Sequence, residues 1–125
     1  KTKRSFLPEL ELAQVQYEPF ALMYRQSTMY ELIDKTFAEA GFNPTILFDT
    51  LRSVTALNMV DANICCSLVP DFFARKDYVP RFKNVSFFSV PAHPTWQIAA
   101  SYKKGSYLTE AARYFIELAR QYWKR

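Results

Sequence analysis

The sequence has few of the residues on which most catalytic and metal-binding motifs depend. It contains two glycines, two cysteines and one histidine in 125 residues. So few glycines argue against a glycine-rich phosphate loop. The adjacent Cys65 and Cys66 with the remote His93 do not make the three or four ligands that a metal site needs. We therefore expect no metal and no cofactor, and no apolar run approaches the ~20 residues of a membrane span.

Neither thiol is placed for catalysis. Cys66 would act as a nucleophile only beside a base, and His93 lies far along the chain between two prolines. Neighbouring side chains of a strand point to opposite faces, so Cys65 and Cys66 would not bridge each other. The acidic residues Glu9, Glu11 and Glu18 form no recognisable acid–base pair. We predict that the protein is not an enzyme, and the thiols fit a reducing cytoplasm.

What the sequence does contain is enough apolar material for one packed domain. Half of the residues are hydrophobic and 17% are aromatic, which makes disorder improbable. The net charge of +4 has two interpretations, a DNA-binding face or solvated ends and loops. Acidic residues are interleaved with the basic ones, which favours solvated ends and loops. The first residues lack an initiator Met, so we expect a piece of a longer protein.

Apolar runs alternate with amphipathic stretches along the first half of the chain. Thr28 and Glu31 have the spacing of a capping box, Gly41 is a typical helix stop, and Asn63 tolerates the left-handed conformation of a second stop. The alternation predicts an α/β fold with parallel strands covered by helices, and the all-apolar strands indicate burial on both faces. The predicted strands are residues 20–24, 45–50 and 64–69, and the predicted helices are residues 28–40 and 54–60.

The rest of the chain is less regular. A helical turn is predicted within residues 8–16, and strands are predicted at 85–90 and 96–102. A strongly amphipathic helix is predicted at 108–123. Its buried stripe should consist of Leu108, Ala111, Ala112, Phe115, Leu118, Ala119 and Tyr122.

Polar side chains mark the point where the first strand leads into the first helix. In an open parallel sheet, ligands bind at the carboxyl ends of the strands, and a helix N-terminus suits an anionic group. Arg25, Gln26, Ser27 and Thr28 are therefore one candidate binding site; the alternative is that Ser27 and Thr28 serve only as helix caps. The end of the third strand, residues 69–73, is a second candidate. There Phe72 or Phe73 lines an apolar pocket, or both phenylalanines belong to the core.

Several segments together resemble one known family. They are Glu18 to Leu22 (EPFAL), Leu32 to Asp34 (LID) with Phe37, Gly41 to Pro44 (GFNP), Met59 to Pro70 (MVDANICCSLVP), Tyr102 to Lys104 (YKK), and Tyr107 to Ala112 (YLTEAA) with Phe115 and Ile116. In order and spacing they are similar to the effector-binding domain of LysR-type transcriptional regulators, from about Leu7 to about Trp123. The segment from Met59 resembles that family's LVAAGLGIALLP.

The resemblance implies a periplasmic-binding-protein-like (type II) effector domain of two lobes. A small molecule binds in the cleft between the lobes, and an N-terminal winged helix-turn-helix, absent from this chain, binds DNA. Residues 17–90 would then be the second, Rossmann-like lobe, and residues 91–125 the return strand and C-terminal helix of the first lobe. The family also assembles into homo-oligomers, here expected through helix 28–40 and strand 45–50.

The same resemblance assigns effector contacts to particular positions. Matching the family residues that commonly touch the effector or line the cleft are Gln26, Ser27, Thr28, Val69, Pro70 and Phe72. Asn63 and Cys65 depart from the family, which usually has glycine at both positions. Cys65 would narrow the cleft or offer a thiol to the effector. The alternative function is that of a stand-alone or periplasmic solute-binding protein.

Overall fold

The computed structural model describes residues 7–75 and 79–123. Its main elements in chain order are β1 (Pro19–Met23), α1 (Tyr30–Ala40), β2 (Thr45–Thr50), α2 (Ser53–Asp61) and α3 (Glu110–Trp123). Short 3-10 turns occupy Leu12–Val15, Asp71–Ala74 and Val79–Arg81, the first within the predicted helical turn. The basic residues Lys1, Lys3, Arg4, Lys76, Lys124 and Arg125, which contribute to the net charge, lie outside the described residues.

β1 and β2 form a parallel sheet, as the alternation predicts. Pro19 pairs with Thr45 at one end and Met23 with Thr50 at the other, with an irregularity between Phe20 and Ala21. Parallel neighbours need a crossover connection, and α1 supplies it. The α/β class is confirmed, with a sheet of two regular strands in the described part of the chain.

The predicted strand 64–69 is wrong as a regular strand. Only one parallel bridge forms, between Phe20 and Cys66, through Cys66 N–H to the Pro19 carbonyl (2.8 Å) and Ala21 N–H to the Cys66 carbonyl (2.9 Å). The Ser67 hydroxyl then donates to the Ala21 carbonyl at 2.7 Å. In a continued parallel ladder, that carbonyl would accept the next backbone N–H. A side chain therefore replaces the ladder, and β1 lies between β2 and this extended segment.

The start of α1 differs from the prediction, whereas its end agrees. Met29 is the N-cap residue and no side chain caps the helix, so the capping box of Thr28 and Glu31 is wrong. The chain enters α1 through a turn closed by Tyr30 N–H to the Ser27 carbonyl at 3.0 Å. This turn brings Met29 into the core, where its side chain is buried. Burial of Met29 rather than hydrogen bonding by Thr28 thus sets the start of α1.

Both predicted helix stops adopt the left-handed backbone. Gly41 has a φ of 82° and Asn63 a φ of 59°. Phe42 N–H donates to the Phe37 carbonyl at 3.4 Å, and the rings of the two residues meet edge to face with centroids 5.4 Å apart. This combination is a Schellman motif with its usual apolar contact. The end of α2 closes in the same way, with Ile64 N–H donating to the Met59 carbonyl at 3.1 Å.

Helices cover β1 on both faces. On one face Phe20 packs against Phe37 of α1 with ring centroids 5.1 Å apart. On the other face Ala21 packs with Ala56 of α2 and with Cys65. This burial on two sides is what the all-apolar sequence of β1 predicts. A third cluster joins α2 to the following chain through Leu57, Phe73 and Phe82.

The predicted strands 85–90 and 96–102 are wrong. The first makes a single parallel bridge, between Glu9 and Ser89. The second pairs with none of the described residues, and Trp96 and Ile98 are exposed. A strand requires a neighbour for its backbone N–H and C=O groups, and the described residues offer none beside 96–102.

α3 forms where it is predicted, but its predicted buried stripe is wrong. No residue of α3 is buried, and Phe115 is 69% exposed. Its apolar face meets too little of the described chain to be covered. An observed contact places the Arg75 guanidinium 5.8 Å from the Trp123 ring centroid. None of the described helices is long and apolar enough to cross a bilayer.

Candidate ligand-binding site

A cavity of about 480 Å³ that is widely open to solvent lies at the carboxyl ends of β1, β2 and the extended segment after α2. This is the edge at which open parallel sheets bind ligands, and the volume is typical of a small-molecule site. The residues that line the cavity are Met23, Met29, Arg52, Ser53, Val54, Pro70, Phe72, Phe73 and Trp96. A hollow of about 390 Å³ along α3 is formed by one helix alone and is a surface groove.

The sequence-predicted site residues fall into two groups in the structure. Pro70 and Phe72 line the cavity, whereas Val69 packs beside the cluster of Leu57, Phe73 and Phe82. Gln26, Ser27 and Thr28 do not line it, although Met29, the next residue along the chain, does. Gln26 and Thr28 are exposed in the turn before α1.

Ser27 occupies an unusual position in that turn. Its N–H donates to the Tyr24 carbonyl at 2.8 Å, but its hydroxyl oxygen is buried without a hydrogen-bond partner among the described residues. Buried polar groups nearly always have a partner in the protein or in bound water. Because the hydroxyl does not cap α1, the helix-cap interpretation of Ser27 is not what the structure shows.

Sequence reasoning missed the residues that follow β2. Arg52, Ser53 and Val54 begin α2 and line the cavity. The rule that selected the end of β1 applies equally to the end of β2 and could have found them. The Ser53 hydroxyl donates a hydrogen bond to the Met23 sulfur at 3.6 Å. This bond links the start of α2 to the end of β1.

The backbone of Arg52 is fixed on both sides. Its N–H donates to the Thr50 hydroxyl at 3.2 Å, and its carbonyl accepts from the N–H groups of Thr55 and Ala56 at 3.0 and 3.3 Å. The residue has extended dihedral angles and is the N-cap of α2. The junction between β2 and α2 therefore fixes the point on the backbone from which the Arg52 side chain extends.

Comparison with known proteins identifies the family. The family model for the LysR substrate binding domain matches residues 4–124. The chain belongs to the LysR substrate-binding domain family. This family has a periplasmic-binding-protein-like fold and occurs in transcription regulators that sense small-molecule effectors. The LysR-type regulators bind DNA through a separate N-terminal domain.

Curated relatives of this LysR substrate-binding domain are themselves regulators by name. This chain is 28% identical over 114 residues to the uncharacterized HTH-type transcriptional regulator YwbI of Bacillus subtilis (strain 168). The match covers 91% of this chain and 37% of the relative. The chain is 25% identical over 118 residues to the uncharacterized HTH-type transcriptional regulator YcgK of the same organism, covering 94% and 35%. The chain thus spans about a third of the length of these relatives. No solved structure matches it.

The two cysteines of this LysR domain lie away from the cavity lining. Both are free thiols, and Cys65 packs with Ala21 and Ala56. Burial raises the pKa of the Cys65 thiol despite a backbone hydrogen bond from Ala21 that lowers it. Burial, followed by the charges of Glu18 and Cys65, raises the pKa of the Cys66 thiol. Thiols with raised pKa values are weak nucleophiles at neutral pH.

His93 lies at a different place in the fold. Its Nε2 atom lies 3.2 Å from the Glu9 carboxylate, and both side chains are exposed. Among the residues that the structure describes, no three of the types His, Cys, Asp and Glu are grouped as metal ligands. No histidine, cysteine or acidic residue of the described chain lines the cavity, whose lining is mostly apolar.

Proposed function

We propose that this chain senses a small-molecule effector for a LysR-type transcription regulator, and that the cavity at the carboxyl edge of the sheet is part of the effector site. The cavity is the observation that carries the proposal, because it combines apolar walls with a few polar groups at the edge where α/β sheets bind ligands. Membership of a family of transcription regulators supports sensing rather than catalysis. In this proposal the regulator binds DNA through an N-terminal winged helix-turn-helix outside this chain. The regulator acts in the cytoplasm.

The proposed effector contacts come from two segments at the carboxyl edge of the sheet, one after the extended segment and one after β1. Pro70 and Phe72 supply apolar walls, and Val69 holds them against the core. Gln26, Ser27 and Thr28 form a second group of contacts, supported by the unpartnered hydroxyl of Ser27. In this proposal residues 17–90 form the second lobe, and the chain from about residue 91 returns to the first lobe. Effector binding shifts the equilibrium between the open and closed arrangements of the lobes. The size of the shift is set by the difference in effector affinity between the two arrangements.

We also propose that α1 and β2 form the contact between copies of the regulator. β2 pairs with β1 on one side only within the described residues, and Ile46 and Leu47 of β2 are exposed. An exposed apolar edge strand is a ready surface for a partner chain. The exposed face of α1 beside it carries the Lys35–Glu39 ion pair.

A thermal-shift screen of the protein against a metabolite library tests the sensing function. Some compounds should raise Tm, and Val54→Glu should abolish their effect because the new carboxylate enters the cavity. Val54 is 46% exposed, and an acidic residue in the first turn of a helix is favourable, so the variant should fold. Thr55→Glu adds the same charge one residue further along, outside the lining, and should retain the shifts.

The proposal would be wrong under either of two results. One is a library in which no compound raises Tm of the parent protein. The other is a set of compounds whose shifts survive in Val54→Glu as fully as in Thr55→Glu, because these ligands would then bind outside the cavity.

A further inference from the structure

We infer that Arg52 makes the cavity selective for a small amphipathic monocarboxylate, a ligand with an apolar or aromatic body and one carboxylate group. The inference rests on the proposed effector site and names the chemical class of its ligand. Arg52 itself is then the residue that determines this specificity.

The lining has an apolar part and a polar part, and we expect the ligand to have two parts that match them. Seven of the nine described residues in the lining are apolar, Ser53 contributes a hydroxyl group, and Arg52 is the one charged residue among them. Covering a guanidinium with an apolar ligand would remove water from a charge without replacing it, which is unfavourable. A ligand that fills the cavity therefore requires an anionic group at the Arg52 end and an apolar surface elsewhere.

Arg52 is available for such a group. Its backbone is held by Thr50, Thr55 and Ala56, whereas its side chain forms no ion pair with any carboxylate of residues 7–75 and 79–123. A planar guanidinium binds a carboxylate through two parallel N–H···O bonds. The N-terminus of α2 adds a partial positive charge beside it.

The apolar part of the cavity suits a ring or a short hydrocarbon chain. Phe72 and Trp96 contribute aromatic surfaces, and Met23, Met29 and Val54 contribute aliphatic ones. A volume of about 480 Å³ accommodates a body of this size. Arg52 is the one cationic side chain among the described residues of the lining, and it matches one carboxylate group.

Benzoate and its neutral isostere benzamide test the inference. We would follow the fluorescence of Trp96 in a Trp123→Phe background, because the chain has two tryptophans and Trp96 is the one in the lining. Benzoate should change the fluorescence saturably, with a Kd at least about tenfold below that of benzamide, as a hydrogen bond to a charged group contributes that much. Arg52→Gln should remove this preference, and Arg52→Lys should restore part of it.

Arg113→Gln is the matched control, because Arg113 is an exposed arginine of α3 outside the lining and should leave both affinities unchanged. The inference is overturned if Arg52→Gln binds benzoate as tightly as the parent, if benzoate and benzamide bind equally, or if neither binds the parent. The proposed function fails separately. Neutral metabolites whose Tm shifts are lost in Val54→Glu would uphold the cavity as a sensor while excluding a monocarboxylate ligand.

Discussion

Asn84 binds Asp61 through two hydrogen bonds at the end of α2. Its backbone N–H donates to the Asp61 carboxylate at 2.8 Å, and its side-chain amide donates to the Asp61 carbonyl at 3.1 Å. The second bond gives a partner to a carbonyl that the end of the helix leaves unpaired. The pair also fixes the chain just after Phe82, which packs on Leu57 of α2. Asn84 therefore helps to close the core cluster on which Phe73 and the cavity wall depend.

Asn84→Ala should lower the free energy of unfolding by about 1 kcal/mol. The substitution removes the side-chain bond, which is exposed and therefore of ordinary strength. Urea denaturation followed by circular dichroism measures the change. Asn58→Ala is the matched control, since Asn58 is exposed on α2 and should change stability by no more than a few tenths of a kcal/mol. Equal stability of the parent and Asn84→Ala would show that the bond is not formed in solution.

Ser67→Ala should be destabilised by about 1–2 kcal/mol. The Ser67 hydroxyl donates to the Ala21 carbonyl at 2.7 Å. Ala21 is a fully buried residue of β1, so the substitution removes a hydrogen-bond donor from a buried carbonyl. Hydrogen exchange should rise at the neighbouring Cys66 amide, which donates to Pro19. Ser101→Ala, an exposed change in the chain before α3, should have no effect. A Ser67→Ala protein of full stability would mean that a backbone N–H takes over the acceptor.

The raised pKa values of Cys65 and Cys66 predict a loss of stability at alkaline pH. In the unfolded chain a thiol ionises around its ordinary pKa of 9.0, whereas in the folded protein it remains protonated to higher pH. Above pH 9.0 the unfolded state therefore binds fewer protons, and the free energy of unfolding falls as pH rises towards the folded pKa. Well below pH 9.0 the thiols are protonated in both states and contribute no pH dependence.

Urea denaturation between pH 7 and pH 10 measures this effect in the parent and in Cys66→Ala. The parent should lose more stability above pH 9.0 than the variant does, because the variant lacks one of the two thiols. Iodoacetamide should label the native thiols slowly at pH 7 and faster as pH increases. Rapid labelling at pH 7, or identical alkaline slopes for the two proteins, would contradict the raised pKa.

The local part of the fold could be predicted from the sequence because it depends on nearby residues. Gly41 and Asn63 end their helices through their own backbone conformation, and the apolar sequence of β1 implies two covered faces. The start of α1 was predicted wrongly because Thr28 and Met29 compete for the same region. Hydrogen bonding favours a cap at Thr28, but burial of Met29 in the core prevails.

The remaining differences concern contacts between distant residues. The alternating pattern of residues 96–102 and the amphipathic pattern of α3 describe what each segment could pack against, but they do not supply the neighbour. Part of the cavity edge was predicted, since Pro70 and Phe72 are in the lining, and Arg52 was missed. In a sequence, arginine at a helix start is an ordinary solvated residue, and only the fold places Arg52 in the same cavity lining as Trp96.

β1 is the most buried strand, yet both of its hydrogen-bonding neighbours follow it in the chain, at β2 and at Cys66. During synthesis this uncharged, apolar segment therefore emerges before the residues with which it pairs. Exposed edges of this kind are sites of aggregation in partly folded proteins. α1 emerges after β1 but before β2 and Cys66, and the packing of Phe37 on Phe20 lets it cover one face of β1 before the sheet forms. The order of the elements thus allows β1 to bury part of its apolar surface against α1 before its strand partners have been made.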